Sequence, residues 1–340
     1  MRCLTLADAL RARGAHTRFV SRYLPEHLRS KLVEKGHEFA QLDTVQNGTE
    51  PDELAHAPWL GVSQSQDAAA SIQALSDRHW DWLIVDHYAL DTRWESLLRR
   101  SADKILAIDD IADRQHDCDV LLDQNLYADM ETRYAGKVPA HCQLLLGPRY
   151  ALLRDEFRKL HEQSKPRSGP AKRVLVFFGG VDADNYTGKA VEVLTQIDIS
   201  GLHIDVVIGA QHPSRMQIET ACSQRGFVCH VQTDKMAELM AAADLAIGAG
   251  GSACWERCCL GLPAILVALA DNQINIARAL DLFGACIYIG TSNTASAAIM
   301  RNAVNGLLNG QEQLVEALSR KAYLLVDGQG VDRVCQEMSC

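Results

Sequence analysis

The sequence predicts an α/β chain of two doubly wound, Rossmann-like domains. Three observations carry this reading. Short β-branched runs alternate with helical stretches from end to end. The runs are nearly all apolar, as strands are when helices cover both faces of a parallel sheet. Finally, the 340 residues suit two domains rather than one, and a single polar stretch with two prolines divides them. That stretch, HEQSKPRSGPAK over His161–Lys172, cannot pack as core and reads as a linker.

Taken in order, the chain opens with a helix, RCLTLADALRARG, directly after Met1. Leu6 and Leu10 lie one turn apart, and Gly14 suits the helix end. Strands follow at Thr17–Ser21, Trp82–Val85, Lys104–Ile108, Val120–Leu122 and Gln143–Leu146. In the second half they lie at Arg173–Phe178, His203–Ile208, Val228–Val231, Leu245–Ile247, Ala264–Val267 and Cys286–Ile289. Helical periodicity occupies Ala183–Leu194, Pro213–Arg225, Met236–Ala242 and Ile274–Leu282. The expected division is a first domain over 1–160, a linker over 161–172 and a second domain over 173–320. A last helix within 321–340 is expected to return to the first domain. The two domains are expected to face a cleft, where carboxyl ends of strands collect ligands. A doubly wound domain ordinarily opens with a strand and a glycine turn before its first helix. Here that strand and turn are expected to be missing.

Composition narrows the function classes. With 47% hydrophobic and 23% charged residues, the chain is neither disordered nor fibrous. Its net charge of −9 comes without any basic block, so no nucleic-acid partner is expected. The longest apolar run, Leu262–Ala270, is about half of a bilayer crossing, so no membrane partner is expected. The first residues hold Asp8 and no signal-peptide core, and the 11 cysteines include no Cys-x-x-Cys pair. Both fit reduced thiols in a cytoplasmic protein.

The segment richest in chemistry runs from Leu245 through Gly248, Gly250 and Gly251 to Ser252. A buried strand entering a glycine turn and then a helix lets backbone amides approach a phosphate. Ser252 can cap that helix or donate to a phosphate oxygen. Glu256, one turn on, suits a sugar diol, or is simply a solvated carboxylate. Cys258 and Cys259 read as core. Asn272 and Gln273 follow another apolar strand and can read a sugar or base, while Asp271 or Asn272 can equally cap a helix. A second glycine turn, Gly179-Gly180, is followed by the polar candidates Asp182, Asn185 and Thr187, with Asp184 as a helix cap. In the first half, strand ends carry Asp86-His87-Tyr88, Asp109-Asp110 and Asp123-Gln124-Asn125. His87 is a candidate base or a structural histidine. Asp109 and Asp110 have no third metal ligand at useful spacing. The serine-hydrolase, Walker and kinase motifs are absent.

Together these stretches resemble the UDP-2,4-diacetamido-2,4,6-trideoxy-β-L-altropyranose hydrolase family of pseudaminic acid biosynthesis. The matching residues are Arg2-Cys3, Asp86-His87-Tyr88, Ile108-Asp109-Asp110, Leu122-Asp123-Gln124-Asn125 and Leu146-Gly147-Pro148-Arg149-Tyr150. Further on come Phe178-Gly179-Gly180, Gly248-Ala249-Gly250-Gly251-Ser252, Trp255-Glu256-Arg257, Asp271-Asn272-Gln273 and Asp327-Gly328-Gln329-Gly330. The resemblance implies the GT-B architecture and metal-free, inverting hydrolysis of a UDP-sugar; no cofactor is expected, and the chain is expected to be a monomer. It implies that Gly250, Gly251 and Ser252 hold the diphosphate, Glu256 the ribose, and Asn272 and Gln273 the sugar. It matches Tyr88 to an active-site tyrosine and sets Asn185 in the second glycine turn; Gly179, Gly180 and Asn185 are expected to bind substrate, and Tyr88 and His87 to be the catalytic candidates. The family's G-x-G-H-x-x-R-C loop, with its proposed base, aligns so that its histidine precedes Met1. The expectation is therefore UDP binding with little turnover. A GT-B glycosyltransferase and an inactive UDP-sugar-binding protein are the alternatives.

Overall fold

The computed structural model describes residues 1–43, 52–198 and 200–339. It divides into two compact units. The first comprises 1–125, 129–152 and 330–340, and the second 126–128 and 153–329.

Among the described residues of the first unit, six parallel strands fall into two sheets. β1 (Arg18–Ser21) pairs with β2 (Glu38–Gln41). β3 (Trp80–Val85), β4 (Ala102–Ile108), β5 (Val120–Asp123) and β6 (Gln143–Leu146) form the other sheet in that order. β4 and β5 are its centre, and their apolar runs are buried on both faces. On one face Leu6 of the helix Arg2–Ala12 packs with Val331, Val334 and Met338 of the helix Gly330–Met338. The Trp82 indole donates to the Met338 carbonyl at 2.9 Å. The other face packs against Leu75, Trp94 and Leu98 from the helices Gln64–Leu75 and Thr92–Leu98. β2 was not expected. Its four residues, EFAQ, never become fully buried, so the apolar signature of an inner strand is missing.

The second unit holds one six-stranded parallel sheet. Its strands are β7 (Arg173–Phe177), β8 (His203–Ile208), β9 (Val228–Val231), β10 (Leu245–Ala249), β11 (Ala264–Ala268) and β12 (Ile287–Thr291). Their spatial order is β12-β11-β10-β7-β8-β9. The chain builds outward from β7 to β9, then returns to β7's other side with β10. That reversal makes a topological switch point between β7 and β10, and ligands of doubly wound sheets bind there, outside the carboxyl ends. Val174, Val176, Ile247, Ile265 and Val267 form the core beneath it. The helix Asp271–Phe283 begins three residues before the expected Ile274, because Asp271-Asn272-Gln273 forms its first turn rather than a loop.

Candidate functional site

The two glycine turns of the second unit leave neighbouring strands at the switch point. Gly248 of β10 stands in register with Phe177 of β7. A Cβ added at Gly248 would overlap the Phe177 carbonyl oxygen, so glycine alone lets these strand ends lie so close. Beyond β10, Gly250, Gly251 and Ser252 lead into the helix Ala253–Cys259. Arg257 on that helix is buried and reaches back, donating to the Ala249 carbonyl at 2.6 Å. It thereby fixes the loop and sets a positive charge behind it. No role for Arg257 was expected, and nothing in residue spacing predicts a side chain reaching back eight positions.

Ser252 is exposed and makes no capping hydrogen bond, so its hydroxyl is not engaged by the helix. Neither Asp271 nor Asn272 caps the helix that follows β11. The capping position is Ala270, and Asn272 is exposed in the first turn. Gln273 accepts from the Leu269 amide through Oε1 at 3.0 Å. That bond orients its amide, whose Nε2 lies 3.6 Å from where a Gly251 Cβ would be. Gly250, Gly251, Ser252 and Gln273 are thus one cluster. Glu256 is half-buried, with Arg154 at 3.7 Å. Burial raises its carboxyl above the usual range, partly offset by Arg154.

The Gly179–Gly180 turn is built differently. Gly179 has φ +106°, open to glycine at no cost. Asp182 is buried and accepts from the amides of Tyr186 at 2.9 Å and Thr187 at 2.7 Å. Its carboxylate also lies 3.3 Å from His212. Asn185 accepts from the Gly188 amide at 3.0 Å. The cap expected at Asp184 is therefore supplied by Asp182 and Asn185, while Asp184 is exposed. A carboxylate earlier in the loop reaches the first two helical amides; Asp184 does not turn back.

In the first unit, Asp86 follows β3 and accepts from Arg2 at 2.7 and 3.1 Å, and from the Cys3 thiol at 2.9 Å. His87 Nδ1 accepts from the Ala89 amide at 3.1 Å. Burial lowers the His87 pKa, which favours a neutral ring with its proton on Nε2. Tyr88 donates to Asp110 at 2.5 Å. Burial and the Asp110 charge push the phenol far up, so it stays protonated. Asp110 also faces Arg2 at 3.2 Å.

Asp109 turns inward instead. It is fully buried with Arg114 at 2.9 Å, His116 at 3.8 Å and the Tyr134 hydroxyl at 3.1 Å. Burial alone would raise its carboxyl, but His116 and Arg114 outweigh this and hold it well below the usual range. Tyr134 also donates to Asp123 at 3.0 Å. Burial pushes Asp123 up to about 7 against the opposing Asn125 amide and Arg133. Sequence reasoning named Asp109, Asp110 and Asp123 but missed His116, Glu95, Arg133 and Tyr134, which come from separate loops and helices. The two adjacent carboxylates engage different cations, so they do not converge as a metal pair.

Residues 173–325 match the glycosyltransferase family 28 C-terminal domain. The spore coat polysaccharide biosynthesis protein SpsG of Bacillus subtilis is 25% identical over 211 residues, 62% of this chain and 61% of that protein. The UDP-2,4-diacetamido-2,4,6-trideoxy-β-L-altropyranose hydrolase of Campylobacter jejuni is 28% identical over 149 residues, 44% of this chain and 51% of that protein. The matches thus span 61% and 51% of these curated relatives' own lengths. The crystal structure of MurG from Acinetobacter baumannii gives a TM-score of 0.68 at 14% identity, over 99% of this chain and 95% of that chain. The fold is GT-B, as expected. Among the described residues, no helix is long and apolar enough to cross a membrane.

Proposed function

We propose that this chain, a GT-B protein whose C-terminal unit is of the glycosyltransferase 28 type, hydrolyses a UDP-linked diacetamido sugar. The observation that carries the reading is the Gly250-Gly251-Ser252 turn at the β7–β10 switch point, with Glu256 one helical turn beyond. Backbone amides and the unengaged Ser252 hydroxyl suit a diphosphate, and they stabilise the charge that grows on UDP as the glycosidic C–O bond breaks. Glu256 accepts from the ribose hydroxyls. Asn272 and the oriented Gln273 amide donate to the sugar's acetamido carbonyls.

The Gly179-Gly180 turn supplies a second close approach of backbone to the nucleotide. Asp182 and Asn185 hold that turn in shape. Water then attacks the anomeric carbon from the opposite face as the bond to the UDP oxygen breaks, UDP leaving with that bonding pair and the water's proton passing to solvent. With Nδ1 accepting from Ala89, His87 acts as a hydrogen-bond donor through Nε2, while Tyr88, whose proton goes to Asp110, offers its oxygen as an acceptor.

The alternative is sugar transfer, which the glycosyltransferase 28 match favours. Release of UDP separates the two. Hydrolysis predicts UDP release from the UDP-sugar in water alone, unaccelerated by added acceptor alcohols. Release that appears only with an acceptor makes the chain a transferase. Binding without release in either case leaves a UDP-sugar-binding protein.

A further inference from the structure

The first unit holds a pair of thiols that the proposed nucleotide site does not use. Cys118 precedes β5 and Cys142 precedes β6. These strands are parallel neighbours, with Val120 paired to Gln143 and the Asp119 carbonyl accepting from the Gln143 amide at 2.9 Å. Extending that register sets Cys142 opposite Asp119 and diagonal to Cys118. At ordinary strand spacing their Cα atoms are then about 6 Å apart, within the range a disulfide spans. The two sulfurs lie 3.6 Å apart. Both are free thiols.

We propose that Cys118 and Cys142 are a redox-active pair that closes to a disulfide on reaction with a small-molecule disulfide such as oxidised glutathione. Cys142, the half-buried member, reacts first. Its thiolate is favoured by a hydrogen bond from the Cys118 thiol, with the nearby His116 charge assisting. Cys118 is buried, and the same sharing raises its own pKa, so its thiol keeps its proton until the second step.

In the first step the Cys142 sulfur attacks one glutathione sulfur. The S–S bond breaks, one glutathione thiolate leaves, and Cys142 carries a mixed disulfide. Cys118 then loses its proton, and its sulfur attacks the Cys142 sulfur. The second glutathione leaves as thiolate and is protonated. Overall the two protein thiols lose two protons and two electrons, and oxidised glutathione takes them up to become two reduced molecules. Closing the bond needs side-chain rotation and a shift of about 1.5 Å between sulfurs.

The test is peptide mapping of the full chain after exposure to excess oxidised glutathione, acid quenching and alkylation. Trypsin places Cys118 alone in peptide 115–133 and Cys142 alone in peptide 138–149. The expected product is these two peptides cross-linked, two hydrogens lighter than their sum. Cys142→Ser abolishes it, and Cys118→Ser retains glutathione on Cys142. Full alkylation of both cysteines in the wild-type chain overturns the proposal. So does oxidation confined to Cys222 and Cys229, a second pair of hydrogen-bonded thiols, in the second unit, which fall in the separate peptides 216–225 and 226–235. The wild-type measurement stands even where a variant fails to fold.

Discussion

Asp109 and Asp110, adjacent in sequence, have opposite surroundings. Asp110 orients Tyr88 and meets Arg2, while Asp109 anchors a buried cluster with Arg114, His116 and Tyr134. His116 is the titrating member. Burial would lower its pKa, but Asp109 and Glu95, at 2.8 Å, outweigh that and raise it to about 9. A raised folded-state pKa means that the cation stabilises the fold fully below the unfolded value of about 6.5 and ceases to as pH climbs to about 9. Asp123, raised to about 7, has the same sign in a lower window, between about 4 and 7. Above pH 7 the histidine therefore dominates. Urea unfolding of the wild-type chain should show a falling midpoint from pH 7 to 9.5. His116→Gln should be less stable at pH 7 and should flatten that fall. A variant curve parallel to the wild type would remove His116 as the cause. At the proposed nucleotide turn, Glu256→Ala should weaken UDP binding roughly 5- to 150-fold, if ribose hydroxyls lose there a charged acceptor worth about 1–3 kcal/mol. Unchanged affinity by calorimetry would refute the ribose role.

At the scale of elements, the contact between β7 and β10 sets the turn. Glycine inside a strand ordinarily costs about 0.5–1 kcal/mol relative to alanine. Gly248→Ala should nonetheless destabilise the second unit by about 1–3 kcal/mol, because the new methyl overlaps the Phe177 carbonyl and pushes two paired strands apart. UDP affinity should fall with it. A rise in thermal midpoint would show that the strands can part without penalty. Much of this was legible in the sequence. β8 and β9 fall on His203–Ile208 and Val228–Val231, where the β-branched Ile204, Val206, Val207, Ile208, Val228 and Val231 mark strands despite Asp205 and His230. β2 was not legible, because its half-buried residues carry no strand pattern. The glycine turns were legible as strand-to-helix turns. Their supports were not. Arg257 reaching Ala249, and Asp182 rather than Asp184 capping the helix, depend on how the chain turns back in space.

At the scale of the molecule, the chain divides into two compact units, and the residues of the proposed nucleotide site lie in the second. Binding that is selective for the folded second unit raises its unfolding free energy by RT ln(1 + [L]/Kd), about 2.7 kcal/mol at a hundred times Kd. Amides that exchange only when that unit unfolds should slow roughly a hundredfold with saturating UDP. The inner strands β7, β10 and β11 are the places to read this, since their amides lie deepest in the sheet. The loop amides of Gly250, Gly251 and Ser252 should gain protection as well, by direct contact with phosphate oxygens. Amides of β4 and β5, at the centre of the first unit, should keep their rates. Hydrogen exchange read by mass spectrometry resolves the two sets. Slowing in β4 and β5 with none in β7 and β10 would move the nucleotide to the first unit. Glu256→Ala supplies the control: at equal UDP concentration its smaller occupancy should shrink the effect on β7 and β10 in proportion to its weaker binding.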